Sequence, residues 1–174
     1  MSDVDISKSN SYLSFNLGEE EFAAHVGKVL NILEMIKITE VPMAPAYMKG
    51  VINLRGAVLP VIDTRVKFGM SATVYTPNTC IVVLDIDMDG DSVHVGALVD
   101  SVQAVLEIPS EGILPPPSIG SRYKSEFIEG VANIDDRFVM LLNMDMVFSS
   151  MELSAMKETT EETARTVNVE QVSE

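Results

Sequence analysis

The chain has little of what secreted and metal-bound proteins depend on. Among its 174 residues it has one cysteine, Cys80, two histidines and no tryptophan. A single cysteine forms no internal disulfide and supplies no cysteine zinc cluster. No apolar run reaches the about 18 residues of a membrane-spanning helix, and residues 1–10 (MSDVDISKSN) lack the basic and apolar regions of a secretory signal. We therefore expect a soluble cytoplasmic protein without direct membrane insertion.

Positive charge is also scarce. Twelve lysines and arginines stand against 26 aspartates and glutamates, which gives a formal net charge of −14. Phosphate backbones and anionic lipid surfaces repel a protein of this sign at long range. Nucleic acid is therefore excluded as an expected partner.

Sequence motifs of catalysis and metal binding are missing as well. The chain contains no G-x-S-x-G, G-x-x-x-x-G-K-[ST], H-E-x-x-H or C-x-x-C pattern. The run Asp85–Asp91 resembles the start of a calcium-binding loop, but the twelfth position, which requires glutamate, is Gly96. We expect no catalytic residues, no metal and no cofactor.

What the chain does contain is the pattern of a β protein. Hydrophobic residues make up 47% of it, in short runs that end at Gly, Pro, Asn or Asp. Strands are predicted over 12–18 and 19–26, on both sides of Arg55-Gly56 within 50–62, and on both sides of Asp89-Gly90 within 80–99. Helical signals are few, and they are predicted near 45–48, over 64–68 and, as an amphipathic helix, over 144–156.

An internal repeat divides the body into two related halves. Gly18 corresponds to Gly90, residues 29–35 (VLNILEM) to 102–108 (VQAVLEI), and residues 47–54 (YMKGVINL) to 127–134 (FIEGVANI). About five strands in each half suit a small closed barrel. The predicted organisation is a disordered tail (1–10), lobe one (about 11–75), lobe two (about 76–143), a helix packed on the body (144–156) and an acidic disordered tail (157–174).

Arg55 is the residue in this pattern that most suggests a function. It follows Asn53 and Leu54 at a turn flanked by apolar strands, and its counterpart in the second half is Asp135. A guanidinium there either pins the loop through a carboxylate or carbonyl groups, or projects toward a partner. The difference between the halves favours a function specific to lobe one.

Three segments carry a resemblance to a known family. PAYMKG (45–50), GVINLRGAVLPVIDTRVKF (50–68) and LVDSVQAVLEI (98–108) resemble the chemotaxis coupling protein family, CheW, and the resemblance covers about residues 11–151. It implies an all-β fold of two interlocked five-stranded SH3-like barrels without enzymatic activity. It also implies an adaptor that couples methyl-accepting chemotaxis receptors to the regulatory domain of the histidine kinase CheA, recruited to receptor arrays at the inner membrane.

The resemblance also implies the contact residues, position by position. The receptor would meet a groove between the lobes, lined by Val29, Asn31, Ile32, Asn53, Leu54, Arg55 and Val105. The kinase would meet the far end of lobe one at Ile36, Ile38 and Val58, with a second contact on lobe two at Ile119. Two positions depart from the family pattern, because many members have a glutamate at Asn31 that pairs with the motif arginine, and the best-known members have an aromatic residue at Ile119.

Two other interpretations remain open from the sequence. One is a coupling paralogue that serves a receptor and kinase array outside chemotaxis. The other is an enzyme or small-ligand binder that uses the cleft between the lobes, with Arg55, Asp63 and Arg65 as its polar groups.

Overall fold

The computed structural model describes residues 10–115 and 127–148. Eleven strands form within these ranges: β1 (Ser11–Leu17), β2 (Glu20–His25), β3 (Val29–Glu34), β4 (Met48–Leu54), β5 (Ala57–Asp63), β6 (Cys80–Met88), β7 (Asp91–Val99), β8 (Ser101–Glu107), β9 (Ile113–Leu114), β10 (Ile128–Ile134) and β11 (Arg137–Leu142). Two four-residue α-helices, α1 (Thr64–Lys67) and α2 (Met144–Val147), each follow a strand. Single 3-10 turns occupy Val26–Lys28 and Ser110–Gly112.

The strands form two sheets with the same internal order. One sheet runs β8-β1-β2-β11-β10-β9, and the other runs β3-β6-β7-β5-β4. We call them the six-stranded lobe and the five-stranded lobe. The repeat-equivalent strands occupy equivalent places, and the parallel pairing of Ile62 with Ala97 in one sheet matches that of Leu142 with Ala24 in the other. The all-β class and the two interlocked lobes that the sequence predicted are confirmed.

The sheets do not divide the chain near residue 75, where the sequence places the lobe boundary. Residues 29–99 form the five-stranded lobe as one continuous stretch, and the six-stranded lobe combines the strands before and after it. The short crossover between β2 and β3 explains this division. In the six-stranded sheet β8 begins beside Asn16, whereas β2 ends beside Tyr12. To take the place of β8, β3 would have to begin about 17 Å from the end of β2, but three intervening residues reach only about 14 Å.

Tight turns with positive φ join the hairpins that the sequence predicted. Arg55-Gly56 has φ values of 53° and 86°, and Asp89-Gly90 has 54° and 91°. Positive φ at both central residues is typical of the type I′ turn, whose twist matches that of the flanking strands. Asp135-Asp136, at the equivalent turn of the second half, has 51° and 64° without any glycine.

The hydrophobic core consists of three clusters, one inside each lobe and one between the lobes. One lies inside the five-stranded lobe around Val61 and Leu98, and its counterpart lies inside the six-stranded lobe around Leu141 and Val139. The largest cluster lies between the lobes, where Phe22 is fully buried among residues of both sheets. Because burial of apolar surface is the main force for folding, the lobes depend on each other.

The helices are shorter than the sequence suggests. The prediction over 64–68 is confirmed by α1, whose first turn is capped by the Asp63 carboxylate. The helix predicted over 144–156 begins at Met144 but ends at Val147, because Phe148 adopts an extended backbone (φ −110°, ψ 102°). Residues 45–48 form a hydrogen-bonded turn instead of a helix. Ile119, residues 149–156 and the two predicted tails, apart from Asn10, lie outside the described residues.

Candidate partner-binding surfaces

The edge strand β3 presents two apolar side chains to solvent. Among the described strands only β6 pairs with it, and along it exposed residues alternate with partly buried ones. Leu30 and Ile32 are exposed, whereas Val29 packs against the cluster between the lobes. The side-chain oxygen of Asn31 accepts a hydrogen bond from the Ile32 amide at 2.8 Å. Of the predicted receptor residues on β3, Ile32 is therefore the one most open to a partner.

Arg55 stands at the exposed tip of the turn between β4 and β5. The Asn53 side chain accepts a hydrogen bond from the Gly56 amide at 2.9 Å, and Leu54 packs against the core of the five-stranded lobe. Within residues 10–115 and 127–148, Arg55 forms no hydrogen bond or ion pair, with Asn31 or with any other side chain. Asn53 and Leu54 thus fix the turn, and the side chain of Arg55 is exposed to solvent.

The six-stranded lobe adds Val105 at a position equivalent to that of Ile32. Val105 is 59% exposed on β8, which is also an edge strand. The two edges of the five-stranded sheet curl toward each other, since Leu33 of β3 and Leu54 of β4 pack against one cluster. The predicted receptor residues therefore divide into β3 and the Arg55 turn on one lobe, and Val105 on the other.

Ile36 and Ile38, two of the predicted kinase contacts, line one groove of about 440 Å³. Ile36 is exposed, and Ile38 packs against the core of the five-stranded lobe. The backbone of Thr39 is held to Val51 by two hydrogen bonds of 2.8 Å. Gly50 permits this approach, because a Cβ at Gly50 would lie 2.2 Å from the Thr39 carbonyl oxygen.

The remaining wall of this groove was not predicted from the sequence. It is formed by Met35, Lys37, Glu40, Lys49 and Tyr75. The Lys49 ammonium lies 5.4 Å from the centre of the Tyr75 ring, within cation–π range. We call the whole set, with Ile36 and Ile38, the Ile36 groove.

Val58, the third predicted kinase contact on this lobe, lies outside the Ile36 groove. It is exposed on β5 opposite Asn53. Phe138 occupies the equivalent place on β11, opposite Asn133, and is 63% exposed. Phe138 and Leu30 were not predicted as contact residues, although the repeat pairs Phe138 with Val58 and the strand alternation places Leu30 beside Ile32.

A second cavity of about 440 Å³ lies where β2 crosses to β3. Its walls include His25, Lys28, Glu129, Asn143 and Asp145. Lys28 pairs with Asp145 at 2.7 Å. Burial raises the pKa of Glu129; His25 and Lys28 oppose this shift by lowering the pKa, and Asp145 adds to it. The polar groups of this cavity thus interact mainly with one another.

Two ion pairs of opposite polarity fasten the crossovers. Arg65 of α1 pairs with Asp100 at 2.6 Å, and the same carboxylate oxygen accepts the Gly18 amide at 2.7 Å. In the other lobe the acid is on the helix, where Asp145 binds Lys28 and accepts the Asp87 amide at 2.8 Å. Each carboxylate therefore connects groups from both lobes.

Arg55, Asp63 and Arg65 do not come together in a small-ligand site. Asp63 is 1% exposed and accepts hydrogen bonds from Arg65 N and from the amide and hydroxyl of Thr73. Arg65 is engaged by Asp100. Asp63 is the last residue of β5, and Arg55 precedes the first residue of this strand. At the usual rise of a strand their backbones lie about 20 Å apart.

Comparisons with known proteins fit this geometry. The family model described as a CheW-like domain matches residues 11–152. The chain belongs to the CheW family. Chemotaxis protein CheW of Rhizobium meliloti is 38% identical over 143 residues, which cover 82% of this chain and 90% of that protein. Chemotaxis protein CheW of Klebsiella aerogenes is 35% identical, with coverage of 82% and 84%.

A crystal structure of a CheW protein shares the fold. The scaffolding protein TtCheW from Thermoanaerobacter tengcongensis superposes with a TM-score of 0.73 at 28% identity, covering 86% of this chain and 92% of that one. Membership of the CheW family assigns this chain the role of a chemotaxis coupling adaptor. In the part of the chain that the structure describes, no helix is long and apolar enough to cross a bilayer.

Proposed function

We propose that this protein couples methyl-accepting chemotaxis receptors to the regulatory domain of the kinase CheA without catalysing a reaction. Two separate surfaces on the five-stranded lobe support this proposal. The Arg55 turn with the β3 edge forms one, and the Ile36 groove with Val58 forms the other. Two exposed surfaces on one lobe suit a bridge between two partners.

The exposed side chain of Arg55 is the main support for the proposed receptor contact. Its guanidinium is exposed, and no described residue uses it. Arginine is well suited to bidentate recognition of a carboxylate. We assign the receptor contact to Arg55 and Ile32, with Val29, Asn31, Asn53 and Leu54 shaping their surroundings and Val105 adding a contact from the other lobe.

The exposed side chain of Ile36 is the main support for the proposed kinase contact. It is an exposed aliphatic side chain in a groove whose floor, Ile38, is anchored in the core. Apolar anchors with a polar rim are typical of the residues that dominate binding energy at interfaces. We place the kinase contact at Ile36, Ile38 and Val58. A second contact on the six-stranded lobe would involve Phe138 together with the predicted Ile119. The protein would act in the cytoplasm, recruited to receptor arrays at the inner membrane.

A co-sedimentation experiment tests this assignment. Receptor-containing membranes should sediment the protein together with CheA. Arg55→Ala should reduce sedimentation with membranes alone and leave binding to the purified kinase regulatory domain unchanged, whereas Ile36→Ser should do the opposite. Failure of both variants to change either interaction would contradict the assigned surfaces.

A further inference from the structure

The Ile36 groove concentrates positive charge in a strongly acidic protein. Lys37 and Lys49 both line it, although the chain carries a net charge of −14. Lys28, Arg65 and Arg137 each pair with a carboxylate elsewhere in the fold. Within the described ranges, neither groove lysine has such a partner. The groove therefore offers two ammonium groups that form no ion pair with the described part of the chain.

The other cavity shows that this is not a general property of grooves in this protein. It has about the same volume, but its lysine, Lys28, is bound to both oxygens of Asp145 at 2.7 and 2.9 Å. A carboxylate from outside would have to displace Asp145 to reach Lys28. Among the described residues, the wall of the Ile36 groove has one acidic side chain, Glu40, and it forms no ion pair with either lysine.

Tyr75 positions one of the two charges. Its ring lies under the Lys49 ammonium, and its side chain is 49% exposed. The aromatic face and the exposed Ile36 are the apolar groups that line the same groove as this charge. A cation held over an aromatic ring keeps part of its hydration and can still bind an anion.

We propose that the Ile36 groove receives a segment of the kinase in which an apolar side chain is followed closely by a carboxylate. The apolar side chain would pack between Ile36 and Tyr75, and the carboxylate would bind Lys49 and Lys37. This inference rests on the proposed kinase contact and adds to it the charge of the bound segment. It makes Lys49, Lys37 and Tyr75 specificity-determining residues that distinguish kinases with an acidic segment from kinases without one.

The test is the affinity of the full chain for the purified regulatory domain of CheA from the same organism, measured by calorimetry. We expect the double variant Lys37→Gln/Lys49→Gln to bind about tenfold more weakly at low salt. The affinity of the unchanged protein should fall between about 0.05 and 0.5 M NaCl, and that of the double variant should change little. Tyr75→Phe should bind normally and Tyr75→Ala weakly, since only the ring is required.

Lys67→Gln provides the matched control. Lys67 also lies over a tyrosine, with its ammonium 4.9 Å from the Tyr47 ring, but it does not line the groove. Its loss should leave the affinity within about twofold, as expected for a surface charge away from the contact. All variants are first checked for unchanged thermal unfolding.

The outcomes separate this inference from the proposed function. If Ile36→Ser weakens binding and the lysine double variant binds like the parent, the acidic segment is ruled out and the kinase contact stands. If neither change has an effect, the kinase binds elsewhere and both proposals are wrong. Weaker binding in both variants, with the loss of salt dependence in the lysine variant, supports both.

Discussion

Arg55 adopts a backbone conformation that suits asparagine and glycine better than arginine. Its φ of 53° lies in the left-handed region, which costs a non-glycine residue about 1 kcal/mol or more. The turn itself does not need the guanidinium, because Asn53 and the flanking strands fix it. The arginine therefore lowers stability slightly without a described intramolecular contact that offsets the cost, which fits a role in binding.

Replacing Arg55 by asparagine should relieve part of this strain. Arg55→Asn should raise the free energy of unfolding by about 0.5 kcal/mol, since asparagine is favoured in type I′ turns, and should nevertheless weaken receptor binding. Urea unfolding and co-sedimentation with receptor membranes measure the two effects. Asp135→Asn is the control, because it changes the equivalent turn, where φ is 51°, and should leave receptor binding unaltered. Receptor binding that survives Arg55→Asn would show that the guanidinium is not the contact.

Glu129 should make stability depend on pH. Burial raises its pKa above the ordinary value of 4.5, so the folded protein holds this proton more tightly than the unfolded chain does. The contribution of Glu129 to stability is therefore greatest at acidic pH and is lost as the pH rises through the raised pKa. Glu129→Gln should be more stable than the parent at neutral pH, and the difference should vanish toward pH 4.

Unfolding midpoints in urea across that pH range measure the difference. A constant difference for Glu129→Gln would show that burial does not act on this carboxyl.

At the scale of elements, the sequence predicts local hairpins better than it predicts the pairing of distant strands. The hairpins around Arg55 and Asp89 were predictable, because a short turn fixes the pairing of neighbouring strands. The place of β3 in the five-stranded lobe was not predictable, since it depends on pairing with β6, a strand that is distant in the sequence. Lys49 and Tyr75 meet in the Ile36 groove although 25 residues separate them in the sequence, and no local pattern marks such a meeting.

The family resemblance predicted the site residues one position at a time, without the contacts between them. It selected Ile32 and Val105 but not Leu30, whose exposure follows from the alternation along β3. It also selected Asn53 and Leu54, which the structure uses to hold the Arg55 turn. Sequence alone does not separate the residues that build a surface from those that a partner touches.

The ion pairs at the crossovers are the contacts between elements with the clearest energetic consequence. Asp100→Asn should lower the free energy of unfolding by about 1–2 kcal/mol, because it removes the charge from a partly buried pair that also binds the Gly18 amide. Asp91→Asn, an exposed carboxylate on β7, should change it by less than about 0.5 kcal/mol. Urea unfolding measures both, and equal effects would mean that the Arg65 pair contributes no more than an ordinary surface charge.

At the scale of the whole molecule, the lobes cannot be separated at the middle of the sequence. A cut between Thr76 and Pro77 leaves neither fragment with a complete sheet, because β1 and β2 belong with β8 to β11. We expect residues 1–76 and 77–174, expressed apart, to lack cooperative unfolding, and their mixture to regain it. Circular dichroism during thermal unfolding detects the difference. A cooperative transition of the first fragment alone would contradict the division of the chain described above.

The continuous path of residues 29–99 also decides how the molecule responds to mechanical load. The first and last described strands, β1 and β11, both belong to the six-stranded lobe, and the chain enters the five-stranded lobe after β2 and leaves it before β8. Tension applied at Ser11 and Leu142 first loads the hydrogen bonds that join β1, β2 and β11, before it reaches the inserted lobe. The lobe that bears Arg55 and the Ile36 groove is thereby shielded from pulling on the rest of the chain.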